Sequence, residues 1–134
     1  MQTKPVLGAA EAHRILEAAR DEAQRNGWAV AIAVVDDGGH PLALARLDGA
    51  APLSAYIAEE KARTAALGRR ETKVYEDMVN GGRAAFLSAP LCTTLEGGVP
   101  VIVGAVVVGA VGVSGVKSDQ DAQIASAGAR CVAA

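Results

Sequence analysis

Some charged side chains in this chain stand where their neighbours favour chemistry over simple solvation. Lys61 lies among Ile57, Ala58, Ala62 and Ala65, so on a helix its position borders the apolar stripe. An ammonium there either snorkels to water or turns into a cleft, where it would meet an anionic ligand or act as an acid–base with a shifted pKa. Arg46 stands two positions before Asp48. The alternatives are a structural ion pair and a guanidinium fork aimed at a carboxylate. With the segment of Arg46 packed beside the helix of Lys61, the two cations would define one anion-binding corner. Glu96 directly precedes Gly97-Gly98, where the backbone can turn sharply and present amide N–H groups to a ligand. A carboxylate beside such a loop is either a general acid–base or a solvated loop charge. The candidate set is therefore Glu96 and Lys61 for catalysis. Arg46, Lys61, Asp48, Gly97, Gly98 and Ser114 are the candidates for ligand binding.

Other chemistries find less support. His13 sits on a helical stretch one turn from Glu17, either as a metal or haem ligand or as a helix-surface histidine. His40 follows Gly38-Gly39, where it either stabilises the turn or serves as a ligand. No histidine pair has metal spacing, and Cys92 and Cys131 have no zinc-type partners, so no metal site is predicted. Gly109, Gly112 and Gly115 do not form a dinucleotide fingerprint in a strand–helix context, and no nucleophile elbow accompanies Ser114.

These residues must be positioned by a core of small side chains. Hydrophobic residues make up 51% of the chain but aromatics only 3%, so Ala, Val, Leu and Ile must pack helices closely on a sheet. The net charge of -2, with both signs interspersed, leaves no basic stripe for nucleic acid. The glycines and proline of the apolar run 99–113 argue for strands over a membrane span. A soluble, cytoplasmic protein of one domain, residues 1–134, is the expectation.

Apolar positions at Ala12, Ile15, Leu16, Ala19 and Ala23 predict a helix over 9–25, ended by Asn26-Gly27. Residues 28–35 are apolar on both parities and predict a strand covered on both faces. Asp36-Asp37-Gly38-Gly39 turns the chain into an antiparallel strand over 41–47. Helices follow over 54–69, with Ser54 as cap, and 72–80. A strand is predicted at 91–95, then a hairpin over 99–114 turning at Gly104-Ala105, then a helix over 118–132 capped by Ser118. The order αββααβββα excludes a doubly wound sheet. It predicts an α/β (α+β) fold with an antiparallel sheet of about five strands flanked by helices.

Ala33-Val34-Val35-Asp36 with Gly38-Gly39-His40, then Ala45-Arg46-Leu47-Asp48-Gly49, resembles the first hairpin of the GlcG/HbpS-like family of haem-binding or haem-degrading proteins. Lys61-Ala62-Arg63-Thr64-Ala65, Gly97-Gly98-Val99-Pro100 and the run 108–115 are similar to its later signatures. The resemblance implies a profilin-like fold with a five-stranded antiparallel sheet, a homo-oligomer, and haem as ligand or substrate. Arg46 or Lys61 would pair its propionates. Relatives that accompany catabolic genes imply an alternative, an enzyme hydrolysing, deaminating or tautomerising a small organic carboxylate. In that reading Arg46 and Lys61 anchor the carboxylate and Glu96 moves protons. A non-catalytic oligomeric sensory or assembly module is the third reading.

Overall fold

A computed structural model describes residues 1–132. Helix α1 (Ala9–Arg25) leads into β1 (Ala31–Asp36) and β2 (Pro41–Arg46). Helices α2 (Leu53–Gly68) and α3 (Lys73–Asn80) and a 3-10 turn (Ala84–Ser88) come next. The chain then forms β3 (Gly98–Val103), β4 (Val106–Ser114) and α4 (Ser118–Arg130). The strands make one antiparallel sheet in the order β2-β1-β4-β3.

The central strand β1 is buried along nearly its whole length, as its unbroken apolar sequence requires. Its two parities serve two different layers. Ile32 and Val34 join Val111 and Val113 of β4 beneath α1 and α4, where Ile15, Leu16, Ala19 and Ile124 complete the larger core. Ala31, Ala33 and Val35 face α2, against Ala58, Ala62, Ala65 and Ala66. This second interface is built almost wholly of alanine, so helix and sheet backbones come close. Gly112 of β4 carries the closest approach: a Cβ there would lie 2.0 Å from the Ala58 carbonyl oxygen.

The sheet has four strands rather than five. Residues 91–95 are irregular because their backbone is claimed by a helix side chain: the Thr93 N–H donates to Thr64 Oγ1 at 2.8 Å. Leu91 has a φ of +54°, which breaks any extended run there. The hairpin turn is where the sequence places it, with Gly104 and Ala105 both at positive φ, the geometry that matches strand twist in a two-residue loop.

Two predicted caps are replaced. Ser54 is a buried residue inside α2, its hydroxyl donating to the Ala51 carbonyl. Ser118 is the first helical residue of α4, and Lys117 stands at the cap with its N–H donating to Gln120 Oε1 at 3.3 Å. Asp121 takes the preceding amide: the Val116 N–H donates to its Oδ1 at 3.1 Å. The side chain that organises this helix start therefore lies one turn in, where it also faces Lys61.

Candidate functional site

Lys61 projects from α2 into the protein rather than toward water, with 3% of its surface exposed. Its Nζ donates to the Val113 carbonyl at 2.8 Å and to Asp121 Oδ2 at 3.1 Å. Burial pushes the Asp121 carboxyl above its usual range, and the Lys61 charge and the Val116 amide pull it back. Gly97 closes over the pair at φ +132°, and a Cβ there would stand 2.7 Å from both Lys61 Nζ and the Val113 oxygen. The Gly97 carbonyl accepts from the Val113 N–H at 3.0 Å. Gly98 is tied to buried Thr72, its N–H donating to Thr72 Oγ1 at 2.8 Å and its carbonyl accepting from the Thr72 N–H at 3.0 Å. The structure thus brings Lys61, Gly97 and Gly98 together, with buried Ser114 next along β4. What gathers them is an interior ion pair and helix–strand stitching.

Glu96 sits beside this cluster but belongs to a different electrostatic neighbourhood. Its backbone N–H donates to Glu76 Oε1 at 3.4 Å. Burial pushes its carboxyl up, the Glu76 charge adds to that, Lys73 opposes it, and Asp119 and Asp77 push it further up. A raised folded-state pKa means that the folded chain binds more protons than the unfolded one in the window from the ordinary glutamate range up to the raised value. Stability from this group is therefore full below that window and is lost as pH rises through it. Thermal melts across this window should show a falling midpoint from Glu96, and Glu96→Gln should flatten that slope. An identical slope in Glu96→Gln would assign the pH dependence to other groups.

Arg46 and Asp48 lie elsewhere. Helix geometry separates Arg46 from Lys61: Ala55 and Glu59, which share a groove with Arg46, project from the side of α2 away from Lys61. Register sets Arg46 and Ser114 on either side of Ala31, with β1 between their strands. Arg46, Lys61 and Glu96 thus occupy three separate surroundings and do not converge on one reacting centre. Instead Arg46 and Asp48 line an open cleft of about 500 Å³ with Arg20 and Gln24 of α1 and Trp28 of the α1–β1 connection. Sequence reasoning missed Arg20 and Trp28. The available signal was that Trp28 is the single tryptophan of the chain, placed just where a helix hands over to the central strand.

The histidines part company. His40 is exposed, its Nδ1 3.1 Å from Asp36 Oδ1, which also accepts from the Gly38 and His40 N–H groups at 2.9 Å each. It belongs to the hairpin turn. His13 is exposed on α1, with Nδ1 3.1 Å from the Ala9 carbonyl oxygen. A carbonyl only accepts, so this contact assigns the donating N–H to Nδ1, and in the neutral tautomer that leaves the Nε2 lone pair unused. That is the arrangement a ligating histidine uses. His13 lines a shallow cleft with Arg14 and Cys131. Arg14 and Cys131 also border an adjoining cleft of about 440 Å³ in which Val6, Leu7, Val103 and Val108 share the lining with the charged side chain of Glu11. Burial pushes the Cys131 thiol up and Arg14 pulls it back, the net shift leaving it protonated at neutral pH. Among the described residues, no group of three or more His, Cys, Asp or Glu side chains is placed to hold a bare metal ion. No described helix is long and apolar enough to cross a membrane.

A four-stranded antiparallel sheet with α1 and α4 on one face and α2 on the other defines a small α+β class of protein. Residues 7–130 match the model of the HbpS-like family, described as haem degrading protein HbpS-like, and the chain belongs to that family. It is 63% identical to Protein GlcG of Escherichia coli strain K12 over 114 residues, 85% of each chain. Among solved structures it is similar to a double mutant of Streptomyces reticuli HbpS. The TM-score is 0.90 at 33% identity, covering 100% of this chain and 92% of that one. It is also similar to PduOC in its haem complex, with a TM-score of 0.84 and 26% identity over 96% of each chain. The family and these neighbours support a haem-related function.

Proposed function

We propose that this chain binds haem, and that it does so where the N-terminal half of α1 meets the β3–β4 hairpin. The observation that carries the reading is His13, whose Nδ1–H is engaged by the Ala9 carbonyl so that the neutral ring keeps its Nε2 lone pair for a ligand, in a cleft that shares Arg14 and Cys131 with the valine-bearing one. Family membership and the likeness to a haem complex supply the ligand. The chain's own residues fit such a group in kind. Val6, Leu7, Val103 and Val108 offer aliphatic walls for a macrocycle, and Arg14 is an exposed guanidinium at the rim for a propionate. A bound haem supplies an iron centre whose electronics its axial ligand and surrounding dielectric adjust. Lys61 is not available to a propionate in this arrangement, because its ammonium is buried against Asp121 and Val113.

Titration of the purified chain with haemin should give a saturable Soret shift at micromolar concentrations. His13→Ala should remove or displace that band, and Arg14→Ala should weaken binding while leaving the band position unchanged. Absence of a saturable shift in the wild-type chain would sink the reading. An unaltered spectrum in His13→Ala would remove His13 as ligand.

A further inference from the structure

The cleft between α1 and the C-terminal end of β2 holds chemistry that haem binding does not use. We propose that it is a binding site for a small aromatic monocarboxylate, held by Arg46 and Arg20 against the indole of Trp28.

Two guanidinium groups from separate elements border one cleft of about 500 Å³. Arg46 is exposed at the end of an edge strand and has no ion-pair or hydrogen-bond partner among the described residues. Arg20 touches only its helix neighbour Glu17, at 3.3 Å through Nη1. Its Nε is buried with no partner at all, alone among buried side-chain polar atoms of the described residues. That Nε is closed to solvent, so the Nη groups of this partly exposed side chain are what an acceptor in the cleft can reach. Like charges gathered at one opening, with idle donor faces, are the complement of a carboxylate, which takes a guanidinium fork through parallel hydrogen bonds.

The remaining wall sets the class of anion. Asp48 in the lining, and Glu17 paired to Arg20, hold the cleft to at most one unpaired positive charge, which favours a monoanion and penalises a dianion such as phosphate. Trp28 gives a flat apolar surface, suited to stacking an aromatic ring, and the cleft volume falls in the range of sites for ring-sized ligands. Gln24 adds a side-chain amide that can meet a ring substituent.

The chain has one tryptophan, so its indole N–H gives one assignable NMR resonance located at the site. Titration with benzoate should move that resonance to saturation. Benzyl alcohol and inorganic phosphate at matched ionic strength should not move it. Arg46→Ala and Arg20→Ala should each weaken benzoate at least about tenfold, the loss expected when a charge-assisted pair is removed. Arg46→Lys should recover part of it, keeping the charge but losing the fork. Because Arg46 has no partner among the described residues, Arg46→Ala should melt as the wild type does, so lost binding would not reflect lost folding. His13→Ala should leave the benzoate response intact, which separates this site from the haem reading. No saturable shift with benzoate, an equal shift with phosphate, or a response surviving both arginine variants would overturn the proposal.

Discussion

Lys61→Met should lower the free energy of unfolding by about 3–5 kcal/mol at neutral pH, read as a shift of the urea midpoint at constant slope. The mutation removes the ammonium from between Val113 and Asp121 and leaves a carboxylate 4% exposed, with only the backbone amides of Val116 and Gly115 still donating to it. Asp121→Leu should cost a similar amount for the mirror reason, a buried ammonium with only a carbonyl to face. The informative variant is the pair together. Desolvating two charges costs most of what their attraction returns, so Lys61→Met with Asp121→Leu, which fills the same space with apolar atoms, should recover most of the loss. A double-mutant cycle would then give a coupling of at least about 2 kcal/mol. Additive losses would show that the ion pair is incidental and that Lys61 serves through its aliphatic stem. If instead the double variant folds well yet loses haemin or benzoate binding, the pair acts on a ligand site and not only on the junction of α2 with α4.

That junction also shows what was legible in the residues and what was not. The position of Lys61 at the margin of a buried stripe was readable from its alanine neighbours, because helical period alone puts it there. Its partner was not, since Asp121 stands 60 residues on and looks like an ordinary acidic residue in a helix's first turn. The double-faced strand β1 is equally clear, while 91–95 has the pattern of a strand and forms none. Short apolar runs do not reveal that a threonine from another helix will take their amides. Arg20 carries no mark of its own, because the apolar positions of α1 set its amphipathic pattern and leave the other side chains looking solvated. Only the packing of α1 over the start of β1 brings it to Trp28 and Arg46. Arg46 stands out in the sequence as a cation closing a strand, but its register on β2 turns it toward residues of α1 and the far side of α2, away from Lys61.

The glycines of the C-terminal hairpin carry the second large effect. Gly112→Ala should destabilise the chain by at least about 3 kcal/mol, beyond the usual cost of one extra methyl in a core. The added Cβ would lie 2.0 Å from the Ala58 carbonyl oxygen and 2.4 Å from the Ala62 amide nitrogen. Both obstacles are backbone atoms of α2, so no rotamer change relieves them, and the helix itself must move off the sheet. Trimming the neighbouring side chain should therefore not help: Ala58→Gly should fail to rescue Gly112→Ala. A rescue would show that side-chain crowding, and not backbone contact, sets the helix height. Gly27→Ala is the matched comparison, since Gly27 has a φ of +69° with nothing within 4 Å of a Cβ, and its cost of about 1–2 kcal/mol is conformational strain alone. The larger loss at Gly112 should also travel. Lifting α2 draws Lys61 away from the Val113 carbonyl, one residue along the same strand, so Gly112→Ala should expose the buried ion pair as well as loosen the alanine interface. Gly112→Ala added to the Lys61→Met, Asp121→Leu background should accordingly cost measurably less than it does in the wild-type chain.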